Sequence, residues 1–348
     1  MASRSGAAGG AGDSESYSSK NVFITLFSAI AIGILAIVFS PFLSRFIPGA
    51  KSVVRNPKSS IIPPQTANMS TSATKTPVYF VSHGGPNVMF ETEHPAYKAL
   101  QNIGKEITQK VKPKAVVVFS AHWQAGKSKV EVNEAEVTKL IYDYYGFPDH
   151  YYKVQYPNVG SKDLANKILT LFKEAGIEAE GTKRGLDHGV FAPFTCMFNP
   201  DENPLGVPLV QVSLFNNEDP DKHYALGAAL RKLREENILI IGSGMAVHNL
   251  RDLFFAMREG SELPYAKVFD AELKKAVLNP ANGEDRKKSL NTLVQHKSAR
   301  QAHPTFEHLL PVHIAAGAAG DDKAEQLFTM TEMSLSWAQY RFGDKPKA

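Results

Sequence analysis

Three apolar runs, each breaking into a loop that carries a histidine, constrain this chain more than any other feature. The first is Pro77-Val78-Tyr79-Phe80-Val81-Ser82, which stops at His83-Gly84-Gly85-Pro86. The second runs from Lys114 to Ser120 and meets Ala121-His122-Trp123. The third, Asn237 to Ile241, opens into Gly242-Ser243-Gly244-Met245-Ala246-Val247-His248-Asn249. Short β-branched and aromatic runs closed by turn residues read as buried strands. Open α/β sheets bind their ligands at the carboxyl ends of such strands. The repetition therefore predicts a metal-centred active site, since imidazole is the commonest protein ligand for a mid-row divalent ion.

Composition narrows what that metal site can be. There are 11 histidines but one cysteine, Cys196, so an internal disulfide and a cysteine-rich zinc site are both excluded. Histidine, carboxylate or water must hold any ion. A formal net charge of +4 over 348 residues leaves no nucleic-acid footprint. With 43% hydrophobic and 21% charged residues, the chain can bury a sizeable core.

The pattern along the chain divides it into four parts. Residues 1–20, rich in Ser, Gly and Ala, are expected to be a disordered tail. Residues 21–44 carry no charge, and Val22 to Val38 is almost wholly apolar, the length of a single membrane-spanning helix. A secretory signal or a buried core helix are the rival readings of this block. Arg45, Lys51, Arg55 and Lys58 follow it, which by the positive-inside tendency places the larger carboxyl-terminal part in the cytosol. Residues 45–75, rich in Pro, Ser, Thr and Asn, read as a linker. Residues 76–345 form the expected catalytic domain.

Within that domain strand-like and helix-like stretches alternate. Helices are expected over Pro95–Lys110, Lys162–Ala175, Lys222–Glu236, Pro264–Val277 and Thr305–Ala319. Further strands are expected over Tyr151–Tyr156, Ile177–Gly181 and Pro208–Leu214. The fold class this implies is a single α/β domain, its central mixed sheet flanked by helices on both faces and preceded by one transmembrane helix. Asn279–Lys288 and Gly343–Ala348 are polar and expected to be exposed.

Several other residues are candidates for chemistry. His248 follows a glycine-rich loop that lacks the spacing of a phosphate loop, so it is either a further ligand or an acid/base group beside the metal. Asn249 orients it or meets substrate. His188 follows Asp187 in Gly185-Leu186-Asp187-His188-Gly189; a neighbouring carboxylate would move its titration toward neutral pH, while a plain turn is the bland alternative. In His303-Pro304-Thr305-Phe306-Glu307-His308-Leu309-Leu310-Pro311, Thr305 is a candidate helix cap, and His308 is preferred to Glu307 as a ligand. Pro311 implies a kinked helix or one that begins near Pro311. His313, about 140° further round a helix, should not face the same metal as His308. Trp123 either walls the site or packs in the core, and the same choice holds for Tyr142, Tyr144 and Tyr145 around a substrate.

The set Ser-His-Gly-Gly-Pro (Ser82 to Pro86), Ser-Ala-His-Trp (Ser120 to Trp123), Gly-Leu-Asp-His-Gly (Gly185 to Gly189), Gly-Ser-Gly-x-x-x-His-Asn (Gly242 to Asn249) and His-Pro-x-x-x-His-x-x-Pro (His303 to Pro311) resembles, in order, the DOPA 4,5-dioxygenase branch of the class III extradiol ring-cleavage dioxygenases. The resemblance covers about Thr76 to Gly343. It implies one non-haem ion per chain, iron(II) for dioxygenation, with zinc in some members. It further implies His83, His122 and His308 as ligands, His248 as a fourth ligand or a catalytic histidine, and His188 as the acid/base group. The substrates implied are a small catechol and O2, with the ring opened beside the diol. A zinc hydrolase on the same histidines and a non-catalytic binding protein are the competing readings.

Overall fold

A computed structural model describes residues 75–345. The expected tail, membrane span and nearly all of the linker lie outside the described residues. Among the described residues no helix is long and apolar enough to cross a membrane.

The strands are β1 (Val78–Ser82), β2 (Ala115–Gln124), β3 (Lys129–Asn133), β4 (Glu178–Thr182), β5 (Leu209–Leu214), β6 (Ile238–Gly244), β7 (Val247–His248), β8 (Ala324–Phe328), β9 (Thr331–Glu332), β10 (Leu335–Ser336) and β11 (Gln339–Phe342). Eight of them form one sheet in the order β4-β3-β5-β2-β6-β1-β11-β8. Its centre, β5-β2-β6-β1, is parallel, and β11 and β8 continue it antiparallel. The sheet is therefore mixed. A second, three-stranded sheet has the order β7-β10-β9.

The helices are α1 (Pro95–Glu106), α2 (Lys162–Glu174), α3 (His188–Met197), α4 (Pro220–Ala229), α5 (Leu250–Glu259), α6 (Pro264–Leu278), α7 (Gly283–Leu293), α8 (Ala299–Ala302) and α9 (Leu310–Ala319). Side chains alternate across a strand, so the central strands feed two cores. Val78 and Phe80 join Val117, Phe119 and Ile240 in the core that contains α4, α6, α7 and α9. Tyr79 and Val81 join Val116, Val118 and Ile241 in the other, which contains α1 and α3. Both faces are covered, which is why these strands read as continuous apolar runs rather than alternating ones.

Four local expectations change. Tyr151–Tyr156 is not a strand; Asp149–Lys153 is a short 3-10 turn. Tyrosine hydroxyls hold its end, Tyr144 Oη donating to the Tyr151 carbonyl and Tyr142 Oη to the carbonyl of Val154 just after the turn. The Lys222–Glu236 stretch divides at Leu230 into α4 and a 3-10 turn. Arg231 and Arg234 from that turn donate to the carbonyls of Gly317, Ala318 and Ala319, where α9 ends and its unpaired carbonyls need donors. The helix expected from Thr305 begins at Leu310, with Pro311 in its first turn, where a missing N–H costs nothing. Finally, the polar segment 279–288 is exposed at most positions as expected, but it opens α7 and buries Arg286, which donates to the carbonyls of Val277, Gly320 and Asp322.

Candidate metal centre

Parallel pairing brings the carboxyl ends of β1, β2 and β6 to one rim. Ser82 pairs with Gly244, Ser120 pairs with Ser243, and the His83 N–H donates to the Gly244 carbonyl over 2.9 Å. His83 thus sits one residue beyond β1. His122 lies near the end of β2, past a break in its register with β5. His308 enters from the turn before α9, whose carbonyl accepts from Met245 N–H just past β6. Ring centroids place His83 5.0 Å from His122 and 5.3 Å from His308, with His122 and His308 4.9 Å apart. One ligand nitrogen from each of the three lies within 4.8 Å of the others.

The orientation of the rings matters more than their proximity. His83 Nδ1 bonds the Gly84 carbonyl at 2.7 Å, His122 Nδ1 faces Asp143 Oδ2 at 3.1 Å, and His308 Nδ1 faces Glu307 Oε1 at 2.9 Å. An acceptor on Nδ1 fixes the tautomer that leaves Nε2 with a free lone pair, the arrangement usual behind metal-ligating histidines. His83 Nε2 is buried with no hydrogen-bond partner among the described residues. The Nε2 atoms of His122 and His308 face each other at 3.2 Å. Two imidazoles bound tetrahedrally at 2.0–2.1 Å would have nitrogens about 3.3 Å apart. The donor set fits a single divalent ion.

Burial pushes the imidazoles of His83 and His308 well below their usual basicity, and neighbouring histidines add to the effect. His248 is pushed down to about 3 by burial and by nearby histidines. Neutral rings are what a metal requires of its ligands. His248 stacks on His308 with centroids 3.6 Å apart, and together with Glu307 they form a second close group of ligand atoms.

His188 opens α3 with its ring 3.9 Å from that of His122. The carboxylate beside it is not Asp187. That side chain is buried and accepts from Ser120 Oγ, Gln211 Nε2 and Arg184 Nη1, so neither the pairing nor the simple turn expected of it holds. Asp143 takes the place instead, with Oδ1 2.8 Å from His188 Nδ1 and Oδ2 on His122. Burial would raise the Asp143 pKa, but hydrogen bonds to His122 and His188 outweigh it and hold the carboxyl well below the usual range. The His188 imidazole is lowered by burial and by His122, and Asp143 opposes the shift. Asp143 was hidden in sequence inside Tyr142-Asp143-Tyr144-Tyr145, where only the aromatics stood out.

Two glycines make the approach possible. Gly84 has φ +70°, and a Cβ there would lie 2.0 Å from the Trp337 ring. A Cβ on Gly189 would meet Ser120 Oγ at 2.4 Å and the His122 ring at 2.8 Å. The remaining candidates separate. Tyr144 lies 5.5 Å from His188, ring to ring, and packs at a tilt against Tyr152, whereas Tyr145 is 90% exposed. Trp123 is buried beneath Arg184 and donates to Glu131. Asn249 caps α5 and donates to the Gln301 carbonyl, a structural duty. His303 bonds the Ala246 carbonyl, and His313 is buried inside α9 on the side of His223.

A cluster of histidines at the rim of a mixed α/β sheet, with ligand atoms close enough to meet one ion, is a candidate non-haem metal site. The family profile described as the catalytic LigB subunit of aromatic ring-opening dioxygenase matches residues 77–340. The chain is 35% identical over 268 residues to the 4,5-DOPA dioxygenase extradiol of Beta vulgaris, covering 76% of this chain and 95% of that protein. It is 35% identical to a 4,5-DOPA dioxygenase extradiol-like protein of Schizosaccharomyces pombe, covering 72% and 86% respectively. The 4,5-DOPA dioxygenase extradiol of Escherichia coli K12 is 31% identical, covering 73% and 89%. The crystal structure of an uncharacterized Escherichia coli K12 protein superposes with a TM-score of 0.61 at 28% identity, over 77% of this chain and all of that one. The chain belongs to the class III extradiol ring-cleavage dioxygenases of the DOPA 4,5-dioxygenase-like family, and is an oxidoreductase of that ring-cleaving type.

Proposed function

We propose that this protein opens the ring of a DOPA-like or other small catechol with O2 at an iron(II) ion held by His83, His122 and His308. The observation that carries this reading is the common orientation of those three rings, each anchored at Nδ1 with Nε2 turned inward. When bound, the ion supplies Lewis acidity toward the catechol hydroxyls and an electron-transfer partner for dioxygen. The protein's own residues do the rest. His248, stacked against His308, completes the ligand set or contacts the bound diol. His188, held by Asp143, takes a proton from a catechol hydroxyl at Nε2 and later returns it. Tyr144 and its aromatic neighbours wall the ring on the His188 side.

In the same reading residues 21–44 anchor the chain in a membrane by one helix, residues 1–20 and 45–75 flank that span, and the catalytic domain of residues 76–345 works in the cytosol. An oxygen electrode tests the chemistry. Protein loaded anaerobically with ferrous iron should consume O2 with a catechol and yield a yellow ring-opened product. The His122→Ala variant should do neither. Absence of oxygen uptake across a catechol panel would contradict the assignment.

A further inference from the structure

The three-stranded sheet beside the candidate metal centre carries a carboxylate that the reaction itself does not use. Leu335 of β10 pairs with His248 of β7 on one side and with Glu332 of β9 on the other. Residues directly opposite one another across antiparallel strands put their side chains on the same face. Glu332 therefore shares the face on which His248 meets His308, two strand spacings away, about 10 Å between Cα atoms. Leu335 lies between them as an apolar floor.

Glu332 is held rather than loose. Trp337 Nε1 donates to its Oε2 over 3.2 Å, and His94 Nε2 lies 3.3 Å from the same oxygen. Trp337 is buried against Gly84, next to His83, so the support of Glu332 is built onto the metal centre. Both bonds fall on Oε2. Among the described residues Oε1 accepts no hydrogen bond, and the Glu332 side chain keeps 41% of its exposure. The other ionic groups around the centre are already engaged: Asp143 with His122 and His188, Glu307 with His308, and Arg184 with Asp187. Glu332 differs in keeping one carboxylate oxygen, Oε1, without a protein partner among the described residues.

We infer that Glu332 is a specificity-determining residue that selects catechols whose ring substituent ends in an ammonium group. A catechol seated with its hydroxyls at the histidines and a two-carbon side chain running over Leu335 brings such a group toward Oε1. A side chain that ends in a carboxylate alone would be repelled there. A charge-assisted hydrogen bond to a fixed, half-buried carboxylate contributes about tenfold or more in discrimination.

This inference rests on the ring-opening reading above, and its test separates the two. The iron-loaded protein and its Glu332→Gln variant are assayed with dopamine, 3,4-dihydroxyphenylpropionate and the uncharged 4-methylcatechol. The expected result is a kcat/KM about tenfold higher for dopamine than for the propionate in the parent protein. E332Q should raise the KM for dopamine about tenfold with little change in kcat, and should leave 4-methylcatechol unaltered. Glu332→Asp, which keeps the charge, should retain the preference in part. Equal handling of dopamine and the propionate by the parent protein, with 4-methylcatechol still turned over, would overturn this inference alone. So would an equal loss on all three substrates in E332Q, the mark of a merely structural side chain. No turnover of any of the three catechols by the parent protein would overturn the ring-opening reading and this inference with it.

Discussion

Two groups of buried histidines in this molecule have similar surroundings and opposite meanings. At the strand rim, His83, His188, His248 and His308 all lose basicity, chiefly through burial. Between α4 and α9, His223 and His313 lose it for the same first reason, His313 falling to about 4. Desolvation alone therefore does not mark a metal site. The rim histidines differ in that an acceptor holds each Nδ1 of His83, His122 and His308 while the Nε2 atoms converge. At the other pair, His223 Nδ1 bonds the carbonyl of Asp219, the cap of its own helix, and no third ligand atom converges among the described residues. Convergence, not burial, separates a metal site from packing.

The largest effect that could break this contrast comes from removing a rim ring. His83→Ala or His122→Ala should abolish turnover and lower the metal retained through desalting, whereas His313→Leu should leave the metal stoichiometry of the folded protein unchanged. Metal analysis after desalting measures both. A His313→Leu protein that loses its ion would erase the distinction.

His188 sharpens it, because it belongs to the rim but is not one of the three converging ligands. His188→Asn should retain the ion and lower kcat by ~10²–10⁴-fold, the usual contribution of a positioned acid/base group. Smaller again is Asp143→Asn, expected to cost ~10–100-fold in activity or metal affinity because the carboxylate orients two rings rather than reacting. Since Asp143 bonds His188 as well as His122, adding the change to H188N should cost less than the two single effects combined. Full additivity would show that Asp143 works through His122 alone.

The smallest effect concerns the second group. A His313 held at about 4 in the fold titrates below its ordinary value near 6.5. Between those limits the unfolded chain takes up a proton that the native protein does not, so the contribution is fully present above about pH 6.5 and is lost as pH falls toward 4. Denaturation midpoints at pH 7 and pH 5 should therefore differ by more in the parent protein than in His313→Leu. An identical acid sensitivity in both would place the titrating group elsewhere.

Much of this was legible in the chain itself, for a definite reason. Strands buried on both faces leave unbroken apolar runs, and the histidines at their outlets follow directly, so His83, His122 and the α/β layering could be read from local pattern. His308 stands out in the sequence as a residue, but its setting does not. The cap expected at Thr305 lost to the proline geometry at Pro311, which starts the helix five residues later. Asp143 was not legible because its role depends on a loop that crosses from β3 back over the rim, and no local period reports such a crossing. The same holds for Glu332, whose relation to His248 exists only through the register of two short strands. Where function follows the strand direction, sequence shows it; where it depends on which loop lies over which, only coordinates do.

The account turns on one ion shared by three distant segments of chain. X-ray absorption at the iron edge, on protein loaded anaerobically and compared with the His308→Ala variant, tests this directly. The prediction is a shell with at least three imidazole nitrogens in the parent protein, one of which disappears in H308A. A shell of oxygen ligands, or one that H308A leaves unchanged, would contradict it.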